Sequence, residues 1–410
     1  MIRWINDYIG TAAWNNVAHV KDITILDVRN LVDKVGNDTT EVGKKIEEGL
    51  SMLGTTSKIV VCCDYGMSRS NSIAAGIIAK KENIDFSDAV NLVIDKTGEK
   101  EIKIGMLDSV QQTLSGLQDN TTKKQKILVT GANGFIGKYL QQLIAKKDNA
   151  DYIFLSSKDI DLAHDVVRLN MLCKKEGIGT IIHLASPRIY TTSISFGQTI
   201  VMLKNVLDVC IQNNIKLVYT SSWEVFSGYK TTGLLINETM RLNPGGTYGQ
   251  SKMLCENLVA HYVEDLNLQA IILRICPVYG LGADKPKSIW NFAEKAFANK
   301  EIKTHLYNNG LPTIELLHIE DAADAIAKAA DFPGVGIFNI SSGNPVSTKS
   351  LAEMIVELAG STSKVTHTQL DLVTHNITLD NTKAAKILGW TPTKSLKEGL
   401  IEIIKFVCKN

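Results

Sequence analysis

The pattern of apolar and polar positions divides the chain into two stretches in which strands alternate with helices. In the first stretch, "DITIL" and "KIVVC" have the apolar runs of buried strands. The segment between them repeats an apolar residue every three or four positions from Val42 to Leu53, which indicates one face of a helix. Two further helices are predicted, beginning near Ser70 and Phe86. This stretch therefore predicts a small α/β domain.

The second stretch contains more strands, and each is separated from the next by a segment with helical spacing. The predicted strands are "KILVT", "YIFL", "TIIHLA", "KLVYTSS" and "AIILRI". Regular alternation of this kind is typical of βαβ units and therefore of a doubly wound parallel sheet. The predicted fold class is α/β for both stretches.

A polar segment separates the two stretches. From Ser115 to Gln125, amide, lysine and small polar residues replace the apolar periodicity on either side. We therefore predict a first domain at 1–118, a linker at 119–125 and a second domain at 126–410.

Composition narrows the classes of partner. The 410 residues are 44% hydrophobic and 21% charged, which is ordinary for a globular protein of two or three domains. A formal net charge of +1 provides no general attraction for nucleic acid or an anionic membrane. We find no signal sequence and no apolar run of membrane-spanning length, and we expect a cytoplasmic protein. The seven cysteines lack paired CxxC spacing, so no metal site is predicted.

Glycines follow the first strand of the second domain. The stretch "KILVTGANGFIGKYLQQLI" places Gly131, Gly134 and Gly137 between a buried strand and an amphipathic helix. Glycines permit a tight turn and the close approach of a pyrophosphate, and the N-terminus of the helix provides partial positive charge. The motif predicts a dinucleotide site.

Groups for proton transfer occur farther along the same domain. Ser221 and Ser222 lie at the end of a predicted strand, and Tyr248 and Lys252 have YxxxK spacing. Residues four apart share a helix face, so the charge of Lys252 can lower the pKa of the Tyr248 phenol. This combination predicts proton transfer coupled to hydride transfer by a nicotinamide.

From about Lys126 onward, the chain resembles the extended short-chain dehydrogenase/reductase family, the branch of nucleotide-sugar epimerases, dehydratases and reductases. The segments "RICPVYG", "LLHIEDAADAI" and "NTKAAKILGWTPTKSLKEGL" add to this resemblance. It implies a Rossmann-type sheet with a C-terminal substrate-binding part and a homodimer formed by this domain. It also implies that Tyr248 is the general acid/base, that Lys252 binds the nicotinamide ribose and that Ser222 hydrogen-bonds the sugar.

The same resemblance implies a set of residues around the dinucleotide, in which Tyr248 and Lys252 are included. The others are Gly131, Asn133, Gly134, Phe135, Ile136, Gly137, Ser156, Ser157, Lys158, Asp161, Leu162, Leu184, Ala185 and Ser186.

Two departures from the family pattern refine the expected chemistry. Sugar 4,6-dehydratases of the family place an aspartate and a glutamate after the hydroxyl residue, whereas this chain has Trp223 and Glu224. Dehydration is therefore disfavoured, and Glu224 is either a base beside a ketone, as in an epimerase or decarboxylase, or a solvated turn residue. After the second strand, Ser156, Ser157 and Lys158 favour NADP, while an acidic residue nearby, Asp159 or Asp161, would favour NAD.

A second anion-binding motif lies in the first domain. The stretch "CDYGMSRS" follows a predicted strand and precedes a predicted helix. Such a loop provides backbone N–H groups and a helix dipole for a phosphate ester, and an arginine can bind two of its oxygens. The pattern indicates Cys63 as the nucleophile, Gly66 at the turn and Arg69 as the phosphate ligand. The predicted phosphate-binding residues are Asp64, Tyr65, Gly66, Met67, Ser68, Arg69 and Ser70.

The region from about Asp22 to Gln118 resembles the cysteine-dependent, dual-specificity phosphatases, which are tyrosine-phosphatase-like. In that family an upstream aspartate protonates the leaving oxygen, and the resemblance implies Asp33 for this role, with Asp38 second. The residue before the nucleophile is usually a histidine, but here it is Cys62.

These observations predict a bifunctional enzyme that acts on a nucleotide sugar or a phosphorylated sugar in the synthesis of surface polysaccharides. A phosphatase-like domain would precede an NAD(P)-dependent epimerase or reductase. The alternative is a single-activity nucleotide-sugar enzyme whose first domain is an inactive phosphate-binding or interaction module. The sequence names neither the sugar nor the nucleotide.

Overall fold

A computed structural model describes residues 1–33, 37–115, 126–146, 151–187, 192–283 and 288–408. Its residues form two compact units. The first unit comprises Met1–Gln125 and Ile160–Gly177, and the second comprises Lys126–Asp159 and Ile178–Asn410. The predicted linker, 119–125, lies outside the described residues.

The elements of the chain before residue 126 follow the predicted order. They are β1 (Arg3–Trp4), β2 (Ile9–Ala13), β3 (Thr24–Asp27), α1 (Thr39–Thr55), β4 (Ile59–Cys63), α2 (Arg69–Glu82), α3 (Phe86–Thr97) and α4 (Ile104–Ser115), with a short 3-10 turn at Trp14–Asn16.

Strands of the first unit form a sheet in the order β1-β2-β4-β3. Strands β2, β4 and β3 are parallel, and Ala13 pairs with Cys63 while Asp27 pairs with Cys62. The carboxyl ends of these three strands therefore meet at one edge. Successive side chains of β4 enter different apolar clusters, with Cys63 in the larger one and Cys62 in the smaller one.

The remaining elements begin with β5. They are β5 (Lys126–Thr130), α5 (Phe135–Lys146), β6 (Tyr152–Leu155), α6 (Val166–Glu176), β7 (Ile178–His183), α7 (Ser193–Gln212), β8 (Lys216–Ser222), β9 (Leu234–Ile236), α8 (Thr247–Leu266), β10 (Ala270–Ile275), β11 (Val278–Tyr279), α9 (Ser288–Phe297), β12 (Ile302–Tyr307), β13 (Thr313–Glu315), β14 (Leu317–His318), α10 (Ile319–Asp331), β15 (Gly336–Ile340), β16 (Pro345–Ser347), α11 (Thr348–Leu358), β17 (Val365–Leu370), β18 (Ile377–Leu379) and α12 (Leu396–Val407). Short helical segments lie at Trp223–Phe226 and Ala384–Leu388.

The second unit is organised around a parallel sheet in the order β15-β10-β8-β7-β5-β6. Five of these strands occur where the apolar runs predicted them. Ligands of such sheets bind beyond the carboxyl ends of the strands. Both the glycine motif after β5 and Ser222 at the end of β8 lie at this edge.

One segment departs from the predicted domain limits. The segment from Ile160 to Gly177, which includes α6, belongs to the first unit although it lies between β6 and β7 of the second. Val167 and Met171 of α6 are buried in the first unit's apolar cluster. The limits 1–118 and 126–410 therefore do not describe the compact units, and as limits of independently folding domains they stay a prediction.

Helix α7 differs from the expectation that no apolar segment reaches membrane-spanning length. Its 20 residues, Ser193–Gln212, are long and apolar enough to cross a bilayer by length and composition. Leu203, Val206 and Leu207 are fully buried within the fold. Packing in the core accounts for part of this composition, because a buried helix face has the same apolar character, whereas Ile194 and Val201 of the same helix are exposed.

Candidate functional site

The glycine loop has the close backbone contacts that a dinucleotide motif requires. Gly131 has a φ of +75°, and a Cβ there would lie 2.7 Å from the Ala185 nitrogen. A Cβ at Gly137 would lie 2.4 Å from the Gly131 oxygen, so this position also needs glycine. A Cβ at Gly134 would meet only the Gly131 oxygen, at 3.2 Å. The loop therefore fits a pyrophosphate at the N-terminus of α5.

The end of β7 lies beside this loop, as the predicted cofactor residues require. The Leu184 N–H donates to the Thr130 carbonyl at 3.3 Å, and the Ala185 N–H donates to the Thr130 hydroxyl at 3.4 Å. Ser186 follows as an exposed residue. Asn133 is exposed beside the glycines, and Phe135 and Ile136 begin α5 half-buried.

A compact turn follows β6, at the predicted ribose site. The Ser156 N–H and hydroxyl both donate to the Asp159 carboxylate, at 2.8 and 2.6 Å. Both hydrogen bonds hold the pKa of the Asp159 carboxyl below its usual value, and the one from the Ser156 hydroxyl has the larger effect. Ser157 and Lys158 are exposed in the same turn. The turn therefore presents a carboxylate as well as the predicted lysine.

Two predicted cofactor residues, Asp161 and Leu162, lie in the segment that belongs to the first unit. Asp161 pairs with His164 at 2.9 Å and accepts a hydrogen bond from the Ala163 N–H at 3.0 Å. The hydrogen bond with His164 lowers the pKa of the Asp161 carboxyl.

The structure brings the predicted Tyr248 and Lys252 to the end of β8. The Lys252 ammonium donates to the Thr220 carbonyl at 2.8 Å and lies 5.7 Å from the centre of the Tyr248 ring. Lys252 is buried, and burial lowers its pKa to about 8. The Ser222 hydroxyl caps the following turn by accepting a hydrogen bond from the Glu224 N–H at 3.2 Å.

Gly249 allows the Tyr248 helix to approach this turn, and sequence reasoning did not identify it. A Cβ at Gly249 would lie 2.3 Å from the Glu224 carbonyl oxygen. Helix α8 therefore contacts the turn that holds Ser222 and Glu224. Glu224 is half-buried, and burial raises the pKa of its carboxyl. The glycine next to the motif tyrosine was the available signal, but its partner is distant in sequence.

A buried ion pair lies beneath the site and was also missed. Arg274 of β10 binds the Glu256 carboxylate of α8, with contacts between 2.7 and 3.2 Å, and donates to the Glu238 carbonyl at 2.9 Å. The Ser221 hydroxyl donates to Glu256 at 2.5 Å. The Ser221 hydroxyl is therefore used in this network, and Ser222 remains the candidate for the hydrogen bond to the sugar.

Trp223, which replaces the dehydratase aspartate, packs against His375. The two ring centres are 4.9 Å apart. Burial, and then the charge of Lys230, lowers the pKa of His375. The position therefore carries an aromatic pair in place of an acid.

In the first unit, Cys63 ends β4 and the loop after it folds around the sulfur atom. The Gly66 N–H donates to Sγ of Cys63 at 3.2 Å, and the Ser70 hydroxyl oxygen lies 3.4 Å from the same atom. Gly66 has a φ of +71°, and a Cβ there would lie 2.4 Å from the Ala13 nitrogen. Burial raises the pKa of the neighbouring Cys62 thiol to about 12.

The remaining loop residues are held in different ways. The Ser68 hydroxyl accepts a hydrogen bond from the Lys103 N–H at 3.0 Å, and the Met67 carbonyl accepts one from the Asn71 amide at 2.6 Å. Tyr65 is 78% exposed and makes the rim of the loop.

Arg69 is buried behind the loop. Its guanidinium donates to the Arg29 and Leu31 carbonyls at 2.9 and 3.0 Å and pairs with Asp64. Its Nε atom has no hydrogen-bond partner among the described residues. Buried donors are normally satisfied, so this atom is an exception to the usual pattern.

The two candidate acids of the first unit differ in their surroundings. Asp33 is exposed, two residues after the Leu31 carbonyl that Arg69 binds. Asp38 accepts a hydrogen bond from the Thr40 N–H at 2.8 Å and caps α1. Asp38 therefore has a structural role, which favours Asp33 over it.

Comparison with known proteins identifies the class of the second unit. The NAD dependent epimerase/dehydratase family matches residues 127–341, more than half of the chain. The chain belongs to this family. The matched residues begin after the predicted linker and do not include the loop that follows Cys63.

Individual relatives carry out different reactions on nucleotide sugars. The chain is 26% identical to UDP-glucuronate 4-epimerase from Thermodesulfobacterium geofontis, over 69% of this chain and 96% of the relative. It is 27% identical to dTDP-4-dehydro-6-deoxyglucose reductase from Escherichia coli, over 70% and 99%. The solved structure of RMD from Pseudomonas aeruginosa, complexed with NADPH, has the same fold, with a TM-score of 0.61, 20% identity and coverage of 69% and 99%.

We expect Gly249→Ala to destabilise the site. The added methyl group would overlap the Glu224 carbonyl and force α8 away from the turn, at a cost of about 1–3 kcal/mol. The melting temperature of the protein and its rate of turnover should both decrease. The control is Gly246→Ala, where a Cβ meets nothing within 4 Å. Equal melting temperatures and turnover in the two variants would show that the close approach of α8 to the Glu224 carbonyl does not matter.

Proposed function

We propose that the second unit catalyses a nicotinamide-dependent epimerisation or reduction of a nucleotide sugar. The observation that supports it best is the arrangement of Tyr248 and the buried Lys252 at the end of β8, beside Ser222. The glycine loop lies at the same edge of the sheet. Both relatives described above are named for nucleotide-sugar substrates.

Each polar group has a defined task in this proposal. The dinucleotide, when bound, accepts or supplies a hydride at a sugar carbon. Tyr248 transfers the proton of the adjacent hydroxyl group, and the Lys252 charge stabilises the phenolate. Ser222 hydrogen-bonds the sugar oxygen. Because burial lowers the pKa of Lys252 to about 8, this charge is present below pH 8 and decreases above it.

The residues after Ser222 favour epimerisation or reduction over 4,6-dehydration. The dehydratase mechanism needs an acid where Trp223 packs against His375. Glu224 remains available as a base beside a keto group, because its raised pKa lets it accept a proton near neutral pH more readily than an exposed carboxylate.

Tyr248→Phe tests the proton-transfer role. Because the variant lacks the transferable proton, turnover should decrease by roughly 10²–10⁴-fold. Binding of the dinucleotide, measured by NADH fluorescence, should change little. Tyr262→Phe removes a hydroxyl from the same helix, where it bonds Asp208, and serves as the control. Unchanged turnover in Tyr248→Phe would remove this residue from the mechanism.

For the dinucleotide, we propose NAD in preference to the NADP that the sequence favoured. The Ser156 hydroxyl donates to Asp159, so this serine is already used and a carboxylate stands in the turn. A carboxylate can accept a hydrogen bond from a ribose 2′-OH but repels a 2′-phosphate. Lys158, exposed in the same turn, supports the NADP alternative.

Asp159→Asn tests the cofactor preference. Removal of the charge should raise the affinity for NADP relative to NAD by about tenfold, or ~1.4 kcal/mol. Titration with both reduced dinucleotides measures this ratio. Asp151→Asn, a change at the opposite end of β6, is the matched control. A wild-type protein that binds NADP more tightly than NAD would contradict the proposal.

For the first unit, we propose an anion-binding module centred on the loop from Cys63 to Ser70. Three features support it: the Gly66 N–H directed at Sγ, the start of α2 at Arg69, and the unpartnered Arg69 Nε. A cysteine-dependent phosphatase is the second candidate, supported by the position of Cys63 at the base of the loop. Hydrolysis of a chromogenic phosphate ester, lost in Cys63→Ser, would support catalysis.

We expect iodoacetamide at pH 6 to label Cys63 in the full-length protein, and vanadate or inorganic phosphate to prevent the reaction. The Gly66 N–H is directed at the Cys63 sulfur atom at the base of the loop, whereas burial keeps Cys62 protonated. Mass mapping identifies the labelled cysteine, and exposed Cys408 reports general reactivity. In Arg69→Lys, protection by oxyanions should be weaker. If vanadate and phosphate leave the labelling of Cys63 unchanged, the loop is not an anion site.

A further inference from the structure

The segment that joins β6 to β7 packs within the first unit. Helix α6 contributes Val167 and Met171, which are 1% and 2% exposed, to the apolar cluster that contains Val90 of α3 and Met106 of α4. Such burial requires a continuous apolar surface on the partner, because apolar side chains are stabilised by removal from water. The first unit provides that surface.

Ion pairs surround this apolar contact. Three basic residues of α6 pair with three aspartates of α3 and α4, and one pair near the start of α6 has the reverse polarity. The pairs are Arg168 with Asp95, Lys174 with Asp108, Lys175 with Asp88, and Lys100 with Asp165.

The most buried of these pairs is Lys174 with Asp108. The Asp108 side chain is 9% exposed, and the Lys174 side chain is 21% exposed. Exposed ion pairs contribute little, but a buried carboxylate that loses its partner is strongly destabilising. The apolar contact stabilises the association with α6, and the pair of Asp108 with Lys174 makes it specific.

The same helix α4 begins beside the anion-binding loop. The Lys103 N–H, directly before α4, donates to the Ser68 hydroxyl of the loop at 3.0 Å. This hydrogen bond links the loop to the helix that contributes Met106 and Asp108 to the α6 contact.

We infer that the first unit has a structural function in addition to any anion binding: it is the docking surface for α6 and orders the connection between β6 and β7. The occupant of this surface is the chain's own segment Ile160–Gly177. This role does not depend on Cys63. It explains a fused first unit even where the loop hydrolyses nothing.

Hydrogen exchange in the full-length protein tests the inference. Lys174→Glu places two acidic groups together, so amides of α6 should exchange about tenfold faster or more. Asp108→Lys should do the same, and the double variant should restore protection in part. Lys80→Glu, which breaks an exposed pair with Glu47 in the same unit, is the control. If α6 exchanges equally in Lys174→Glu and Lys80→Glu, the inference is wrong.

Lys175→Glu provides a milder variant should Lys174→Glu fail to fold, because its pair with Asp88 is half exposed. It should accelerate exchange in α6 to a smaller degree, and unchanged exchange would again oppose the inference.

NADH affinity is the second readout, because the family resemblance implies that Asp161 and Leu162 of this segment lie near the dinucleotide; this readout alone rests on the proposed function. Weaker NADH binding together with faster exchange of α6 supports the inference. Normal exchange of α6 in Lys174→Glu overturns it even if NADH binds. Absence of NADH binding in the wild-type protein, with α6 still sensitive to Lys174→Glu, overturns the proposed function alone.

Discussion

The buried ion pair between Arg274 and Glu256 is the interaction on which the arrangement of the second unit's site depends. Both side chains are almost completely buried. Burial of two charges is costly unless hydrogen bonds satisfy the remaining polar atoms. Here the Ser221 hydroxyl and the Glu238 carbonyl complete the network. The pair therefore fixes α8 against β8 and β10, and few other positions of α8 would satisfy all of these groups.

The position of α8 determines the chemistry of Lys252, one helical turn before Glu256. In this position its ammonium is buried against the Thr220 carbonyl, so its pKa decreases to about 8. The adjacent Tyr248 faces the same charge. Gly249 lets the helix come close enough for this arrangement. An ion pair outside the reacting groups thus sets the distance and the electrostatics of those that would react.

Local sequence patterns predicted the elements well and the contacts between them poorly. Apolar runs marked β5, β6, β8 and β10 because burial on both faces of a parallel sheet leaves a continuous apolar signature. The glycine loop was predictable from Gly134 and Gly137, because a Cβ at either position meets backbone of the same loop, whereas the contact of Gly131 with Ala185 is distant in sequence. Gly249 and the Arg274 network were not, because their roles depend on partners that no single motif contains. Asp159 was a candidate in the sequence, but its hydrogen bonds with Ser156 depend on turn geometry. The packing of helix α6 in the first unit could not be predicted, since periodicity reveals an apolar face but not its neighbour.

The two roles proposed for the first unit use different elements and are therefore compatible. The anion loop is built from the end of β4 and the start of α2, whereas the contact with α6 uses α3 and α4. A change at Cys63 alters the chemistry of the loop and leaves the ion pairs to α6 in place. The docking surface therefore places no requirement on catalysis, and a loop that only binds an anion is compatible with a first unit that the rest of the chain still needs. The hydrogen bond from Lys103 to Ser68 and the apolar cluster that contains Cys63 link the two regions.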